Sequence, residues 1–534
     1  MIFNIKKILE VTNMKCMQCE ETLAGTGCIK KGICGKTAEL SDEMDRLIAT
    51  LIEVSAATSG CSNVAFLKEV DEHIVDSLFM TLSNTNFDMQ RIKCAIATSD
   101  SFMEKMGKKY TIYIGASPDC SVDTYDSNED LRSLKQLLLF GLKGLAAYYH
   151  HAYVLGAEDA SVTAFMRKAL SSIRKDHSAE ELIALNMECG EVGAKAMALL
   201  DEYNVRTYGK PEITKVRTGV GKNPGILITG HDLRDLEQLL EQTKGTGVDV
   251  YTHGEMLPAH AYPGLKKYDN LVGNYGNAWH LQRDEFEKFN GPIVATTNCV
   301  LIPKDSYKDR LFTTGTTGIE GVKFIPAVDG KKDFSEVIRI AKGCAPPTPI
   351  DDKELVIGFA HDQTLALADK IIDAVKAGAI KRFVVMAGCD GREKGRDYYA
   401  KFAEELPKDA VILTAGCAKY KYNKLDLGDI GGIPRVIDAG QCNDCYSLVV
   451  IANALADAFG TDVNGLPLSF NIAWYEQKAV LVLLVLLKLG VKNIMLGPRL
   501  PVFISPGVLN VLVDTFGIKA NSEPAADRVI LKIE

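Results

Sequence analysis

Cys16, Cys19, Cys28 and Cys34 stand in the spacing C-x2-C-x8-C-x5-C within MKCMQCEETLAGTGCIKKGICGKTAEL. Four thiols in one short, glycine-punctuated segment can close around a single metal centre without help from distant chain. Thiolate is a soft ligand, and four of them favour zinc or an iron–sulfur cluster. A structural zinc site usually comes as two C-x2-C knuckles. Here one tight pair is followed by two single cysteines across wide gaps. The pattern therefore favours an iron–sulfur cluster over zinc, and over four unligated thiols.

A second set of candidate ligands follows a run of short apolar segments. GILIT leads into Gly230-His231-Asp232, VDVYT into His253-Gly254-Glu255, and PIVATT into Asn298-Cys299. FVVMA leads into Gly388-Cys389-Asp390, AVILTA into Gly416-Cys417, and RVIDA into Gly440-Gln441-Cys442. In open parallel α/β sheets, ligands bind in the crevice outside the carboxyl ends of the strands. Each residue has a plainer reading on its own. Cys299 or Cys389 suits a small buried hydrophobe, His231 a helix cap, and Glu255 a first-turn acid. It is the recurrence that points to one shared site. Four thiols, an imidazole and a carboxylate form a mixed soft and hard set, more than the four ligands zinc takes. Such a set suits a multi-iron centre with sulfide and oxygen bridges and room for a substrate. Glu476 and Lys478, in WYEQKAV, precede the most hydrophobic helical stretch and are costly to bury unless paired or ligating. From the residues alone, an interfacial ion pair remains open for them.

The elements that position these residues fall into two kinds. Up to about Tyr203, SDEMDRLIATLIEVSAAT, EDLRSLKQLLLFGLKGLAAYYHHAYVLG and AEELIALNMECGEVGAKAMALLDEY carry apolar residues at three- and four-residue spacing, the helical period. Ser41, with acids after it, marks a helix start. PEITKVRTGVGKNPG reads as a linker. Beyond it, short β-rich runs (those above, with LVIGF and NIMLG) alternate with helical stretches, the pattern of parallel α/β units. A further break at GCAPPTPIDDK divides them. The expected architecture is a helical bundle over residues 1–215 bearing the cysteine loop, then two Rossmann-like α/β domains with parallel sheets, 216–346 and 347–534. The second metal site is expected at the domain junction.

The 534 residues allow about three domains. A net charge of −8 offers no basic footprint, so nucleic acid is not an expected partner. Fourteen cysteines spread over so long a chain suit a reducing cytoplasm with metal-bound thiols, not a disulfide scaffold. MIFNIKKILEVTN lacks the features of a signal peptide, and Met14 is a candidate alternative translation start. The longest apolar run, Ala479 to Leu487, falls short of the ~20 residues of a membrane span. GICGKT lacks the first glycine of a phosphate loop, Lys30 standing in its place, and no dinucleotide fingerprint opens a helix. Cys61, Cys94, Cys120, Cys189 and Cys344 have no ligand-like setting.

Taken together, the cysteine loop, GHDL, VYTHGEMLPA, GNYGNAW, TTNC, VVMAGCDGR, LTAGCAKY, GDIGGIPRVIDAGQCND and AWYEQKAV resemble the hybrid-cluster (prismane) proteins, or hydroxylamine reductases, from Met14 onwards. The resemblance implies a helical domain and two α/β domains, as in the related carbon monoxide dehydrogenases. It implies a [4Fe–4S] cluster on Cys16, Cys19, Cys28 and Cys34, in the tight spacing associated with anaerobes. It also implies a hybrid [4Fe–2O–2S]-type cluster on His231, Glu255, Cys299, Cys389, Cys417, Cys442 and Glu476, with Cys389 the position for a persulfide. Glu476 enters the ligand set only through the resemblance. Cys445, three residues after Cys442, is a competing thiol.

The activity so implied is reduction of hydroxylamine to ammonia and water at the hybrid cluster, with electrons passed inward from the [4Fe–4S] cluster. His231, Glu255, Glu476 and Lys478 are the proton-shuttling candidates, because N–O cleavage leaves a basic oxygen. Cys389 is the sulfur expected to open the site. Nitric oxide reduction in nitrosative-stress defence is a close variant, and a redox or S-nitrosylation regulator is a different class of answer. The carbon monoxide dehydrogenase reading predicts nickel, and AGCAKYKYNKLDLGDIGG opposes it. The expected partners are a small nitrogen-oxide substrate and a separate ferredoxin-like or iron–sulfur reductase donor, with no membrane.

Overall fold

The computed structural model describes residues 14–22, 25–111, 120 and 124–533. The thirteen residues before Met14, and with them the signal-peptide reading, lie outside the described residues.

Six helices come first: α1 (Ala38–Ala57), α2 (Val64–Met80), α3 (Met89–Lys105), α4 (Glu129–Tyr153), α5 (Ala160–Ser172) and α6 (Ala179–Tyr208). Each starts at a Thr, Asn, Asp or Ser whose side chain accepts from a first-turn backbone N–H: Thr37, Asn63, Asp88, Asn128, Asp159 and Ser178. Such caps satisfy donors the helix itself leaves unpaired. The Thr37 cap corrects the expected start at Ser41, which lies a turn inside α1. Met44, Leu47, Ile48 and Leu51 form the buried stripe of α1. Helix α4 is buried from Ser133 to Ala152 and packs against α2 and α6.

Next comes a sheet of β1 (Gly225–Thr229), β2 (Asp249–His253), β3 (Leu271–Asn274), β4 (Ile293–Ala295), β5 (Leu311–Thr314) and β6 (Lys323–Ile325). The order is β3-β2-β1-β4-β5-β6 and every pair is parallel. Ile226 and Ile228 face Leu236, Leu239 and Leu240 of α7 (Leu233–Thr243). Leu227 points the other way, into the core shared with the helical part. Burial on both faces explains why the strand reads as an unbroken apolar run.

A second sheet repeats the arrangement. Strands β7 (Arg382–Val385), β8 (Ala410–Thr414), β9 (Val436–Asp438), β10 (Leu468–Ala473), β11 (Ile494–Gly497) and β12 (Lys519–Ala520) lie in the order β9-β8-β7-β10-β11-β12, again all parallel. Val384 and Ile412 pack on Tyr398, Tyr399 and Phe402 of α8 (Asp397–Glu404). On the other face, Val385 and Leu413 pack with Ile451 and Leu455 of α9 (Tyr446–Phe459). The apolar run at Ala479–Leu487 lies within α10 (Gln477–Lys488), which packs against α4 and α6.

Two sequence expectations need correction. LVIGF belongs to neither parallel sheet: Glu354–Ile357 pairs antiparallel with Thr214–Arg217. That partner lies inside the stretch read as a linker, whose Pro and Gly residues flank a strand of alternating burial. Among the described residues, no helix is long and apolar enough to cross a membrane.

Candidate metal centres

In both sheets the strand order reverses beside the first strand, between β1 and β4 and between β7 and β10. A ligand crevice opens at such a switch point, outside the carboxyl ends of the strands. His231 follows β1, Glu255 follows β2 and Cys299 follows β4. Cys389 follows β7, Cys417 β8, Cys442 β9 and Glu476 β10. The turns are tight. Gly388 has φ +110°, and a Cβ there would collide with the Ala473 carbonyl across the switch point. That close approach lets Cys389 N donate to Ala473 O at 2.8 Å.

The ligand-bearing atoms of His231, Glu255 and Cys442 lie within 4.8 Å of one another. Cys442 Sγ is 3.2 Å from His231 Nε2, and Cys442 N donates to Glu255 Oε2 at 2.6 Å. Lys478 Nζ reaches the same corner, 3.1 Å from His231 Nε2 and 3.2 Å from Cys442 Sγ. Cys299, Cys389 and Cys417 pack in one small cluster with Tyr475 and Trp279. Cys389 accepts from the Glu476 backbone N–H, and Glu476 Oε2 caps α10 by accepting from Lys478 N at 2.8 Å. Cys445 points elsewhere, its Sγ 3.1 Å from the Tyr148 hydroxyl.

The hydrogen bonds of His231 fix its tautomer. Nδ1 lies 3.0 Å from the Asn298 carbonyl, which can only accept, so Nδ1 carries the proton. Nε2 is left with its lone pair toward Cys442. Thr297 Oγ1, 2.9 Å from both the backbone N and Nδ1, steadies the ring. A partner behind a histidine in this way is characteristic of metal-binding imidazoles.

Electrostatics show what the pocket lacks. Burial pushes the Cys299, Cys417 and Cys442 thiols well above their ordinary range and Cys389 up to about 12. Burial also raises Glu476, against the pull of Lys478. It holds His231 well below its usual value, helped by the Lys478 ammonium. Burial works against the charge of Lys478, yet Cys442 and Glu476 outweigh it and hold its pKa above the ordinary value. Glu255 Oε1 is buried with no hydrogen-bond partner among the described residues. Four thiols and two carboxyls packed away from water need further positive charge before they can ionise together, while the neutral His231 imidazole already offers a lone pair. The donor set fits a centre of several metal ions.

The N-terminal loop is built differently. Cys16 and Cys28 exchange backbone bonds, N to O at 3.1 and 2.8 Å, which pinches the loop together. Burial pushes Cys16 up to about 11, against Lys36, and Cys19 well above its ordinary value, with the other loop thiols adding to both. All four are free thiols, and four thiols in one loop suit one thiolate-ligated cluster.

The Prismane/CO dehydrogenase family model matches residues 14–529. The chain belongs to this family. It is 56% identical to a hydroxylamine reductase of Caldanaerobacter subterraneus over 531 residues, covering 95% of this chain and 97% of that protein. It is 55% identical to a hydroxylamine reductase of Methanosarcina mazei over 538 residues, 97% of this chain and 100% of the relative. Among solved structures, carbon monoxide dehydrogenase IV from Carboxydothermus hydrogenoformans matches with a TM-score of 0.57 at 17% identity, over 100% of this chain and 95% of that one. That likeness is one of fold.

Sequence reasoning missed the residues that join the two centres. Arg396, fully buried, donates to Cys389 O, Trp474 O and Glu20 Oε2 at 3.1, 2.5 and 3.0 Å. Gln477 Nε2 bonds both the carbonyl and side-chain oxygens of Gln18, inside the C-x2-C pair, and Lys143 Nζ reaches that same side-chain oxygen at 2.9 Å. Glu20 N donates to Tyr475 O at 2.9 Å. All of these contacts span more than 100 residues except Arg396 to Cys389 and Trp474, so no local pattern announces them. Cys120 and Cys189 are buried, Cys61 and Cys344 half-buried, and Cys94 exposed.

Proposed function

We propose that the chain is an iron–sulfur oxidoreductase that reduces hydroxylamine to ammonia and water, taking up two electrons and two protons per turnover. The corner where His231, Glu255 and Cys442 meet beside Lys478 Nζ, with Cys299, Cys389 and Cys417 packed in one cluster, is the observation that carries this reading, together with the relatives' names. His231, Glu255, Cys299, Cys389, Cys417, Cys442 and Glu476 would hold a hybrid [4Fe–2O–2S]-type cluster. Cys16, Cys19, Cys28 and Cys34 would hold a [4Fe–4S] cluster. When bound, the pair supplies electrons and a Lewis-acid site. The chain's own part is proton delivery and exclusion of water. Lys478 Nζ is placed to donate toward the oxygen released on N–O cleavage. Thr297 and Asn298 keep the His231 proton on Nδ1, away from that corner. Tyr475 and Trp279, with ring centroids 4.8 Å apart, fill the space between Cys19 and the strand-end cysteines and keep it dry.

A second reading, reduction of two nitric oxide molecules to nitrous oxide and water, takes support from an apolar cavity of ≈ 120 Å³. It is lined by Met197, Leu448, Val482 and Leu486 and touches Cys389, Cys442 and Lys478. Such walls suit an uncharged diatomic better than a strongly hydrated substrate. Metal and sulfide analysis of protein purified without oxygen, followed by kcat/KM for both substrates, tests the proposal. The expected result is about eight irons per chain, sulfide short of iron, no nickel, and hydroxylamine turnover. About four irons would remove the strand-end centre; zinc without labile sulfide would remove the redox reading altogether. A much higher kcat/KM for nitric oxide would transfer the assignment to that substrate.

A further inference from the structure

The strand-end centre is deeply enclosed, with His231, Glu255, Cys417 and Glu476 all buried. In the N-terminal loop Cys16, Cys19 and Cys34 are half-buried, and between Cys28 and Cys34 the chain reaches solvent, Ile29, Lys30, Lys31 and Ile33 all being exposed. Its outer face combines two features.

First, it exposes large apolar side chains. Ile29 is 51% and Ile33 40% exposed, the two flanking residues of the Cys28–Cys34 stretch. Ile302, 37% exposed, lies against the same turn: a Cβ on Gly35 would stand 2.9 Å from Ile302 Cγ1. Single exposed hydrophobes are ordinary, whereas a cluster beside a candidate redox centre marks an interaction surface.

Second, it is basic in a protein of net charge −8. Lys30 and Lys31 are exposed, and no ion pair or hydrogen bond of either is seen among the described residues. The two acids of the loop are withdrawn from solvent. Glu20 is buried against Arg396 and Arg499, and Glu21 against Arg392. Arg392 also donates to Ile33 O at 2.8 Å, which fixes the isoleucine-bearing turn. The acids are thus neutralised from behind while the lysines face outward.

We infer that this face, Ile29, Ile33 and Ile302 with Lys30 and Lys31 between the first two, is the docking surface for a small acidic iron–sulfur carrier protein. The inference rests on the reading that Cys16–Cys34 hold a redox cluster. In each encounter the reduced carrier gives up one electron and the N-terminal cluster gains it, so two encounters supply one hydroxylamine turnover. The match of a small apolar centre with adjacent lysines suits a transient electron-transfer contact. Such contacts are small, and opposite charges steer them. The lysines give an acidic carrier a local attraction that works against the repulsion of the chain's overall charge of −8.

The test uses the holoprotein and a reduced acidic ferredoxin. Binding is measured by calorimetry at low and at roughly physiological ionic strength, and stopped-flow absorbance follows reduction of the cluster. Photoreduced deazaflavin, a small uncharged reductant, serves as the reference donor. Native protein is expected to bind about tenfold more weakly at the higher salt. Lys30→Glu/Lys31→Glu is expected to weaken low-salt binding and slow reduction by ferredoxin about tenfold or more, with deazaflavin reduction and iron content unchanged. Lys222→Glu/Lys244→Glu, two exposed lysines at the amino end of the first sheet, is the matched control. Equal behaviour of the two double variants, or binding insensitive to both charge reversal and salt, would overturn the docking surface. Absence of labile sulfide would instead overturn the cluster reading, while the binding measurement would still report on the surface.

Discussion

The two candidate centres solve one problem, gathering buried thiols, by opposite means. The N-terminal loop takes four cysteines from a stretch of nineteen residues, Cys16 to Cys34. Its geometry is local: glycine turns and one pair of backbone bonds between Cys16 and Cys28. The strand-end centre draws its seven residues from His231 to Glu476, each at the end of a different strand in two separate sheets. Its geometry belongs to the fold. A local loop needs little beyond its own sequence to bind metal. The strand-end set comes together only when both sheets and α10 are packed.

The largest expected effect exploits that difference. Cys442→Ala removes a thiol within 4.8 Å of both His231 and Glu255. It is expected to lower iron from about eight to about four per chain and to abolish turnover with any donor, leaving the N-terminal cluster's absorbance intact. Cys28→Ala is expected to do the converse, losing the loop cluster while the strand-end irons stay. Turnover should then fall with a protein donor and survive in part with a small reductant. Iron, labile sulfide and electron paramagnetic resonance of both variants decide the matter. Loss of all iron in either one would show that the centres are not built independently.

A smaller effect is expected at Lys478, which distinguishes holding metal from using it. Lys478→Met keeps the unbranched stem, one atom shorter, and removes the ammonium group with its proton. Iron content should be unchanged while kcat falls by roughly 10²–10⁴-fold, the usual worth of a positioned general acid. Lys478→Arg, which stays charged but places its donors differently, should recover only part of the rate. No loss of kcat in Lys478→Met would leave the lysine a structural counter-charge to Cys442 and Glu476.

The same contrast explains what could be read from the sequence. The loop announces itself by spacing. The strand-end residues announce themselves only by repetition: a buried parallel strand is a short apolar run, and six such runs each end beside a Cys, His or Glu. Strands β3, β5, β6, β10 and β12 escaped, for two reasons. Leu311–Thr314 and Lys323–Ile325 are only four and three residues long, and Leu468–Ala473 carries Ser469 and Asn471 inside a strand whose first four residues after Leu468 are mostly buried. Missing β10 is why Glu476 looked like half of an ion pair. LVIGF was misplaced because β-propensity does not say which strand it will pair with. The matching 3-2-1-4-5-6 order of the two sheets leaves no trace as a tandem repeat, since layer geometry constrains the apolar pattern and not the residue identities.

The smallest expected effect lies outside either set of ligands and asks how much the strand-end centre depends on helix packing. Helix α10 begins at Gln477, directly after Glu476 and one residue before Lys478. It lies so close to α4 that a Cβ on Gly144 would stand 2.6 Å from the Gln477 carbonyl and 2.8 Å from Leu481 Cβ. The first of these is backbone and cannot rotate away, so Gly144→Ala must push the start of α10 outward. Overpacking of this kind costs about 1–3 kcal/mol, read as a lower Tm. The same displacement carries Lys478 Nζ away from His231 and Cys442, so kcat should fall by a further factor beyond any loss of folded protein. The N-terminal cluster should keep its spectrum, because its ligands sit on neither helix. Equal damage to both centres would instead mean that Gln18, held by Lys143 of α4 and Gln477 of α10, ties the local loop to the packing it otherwise does without.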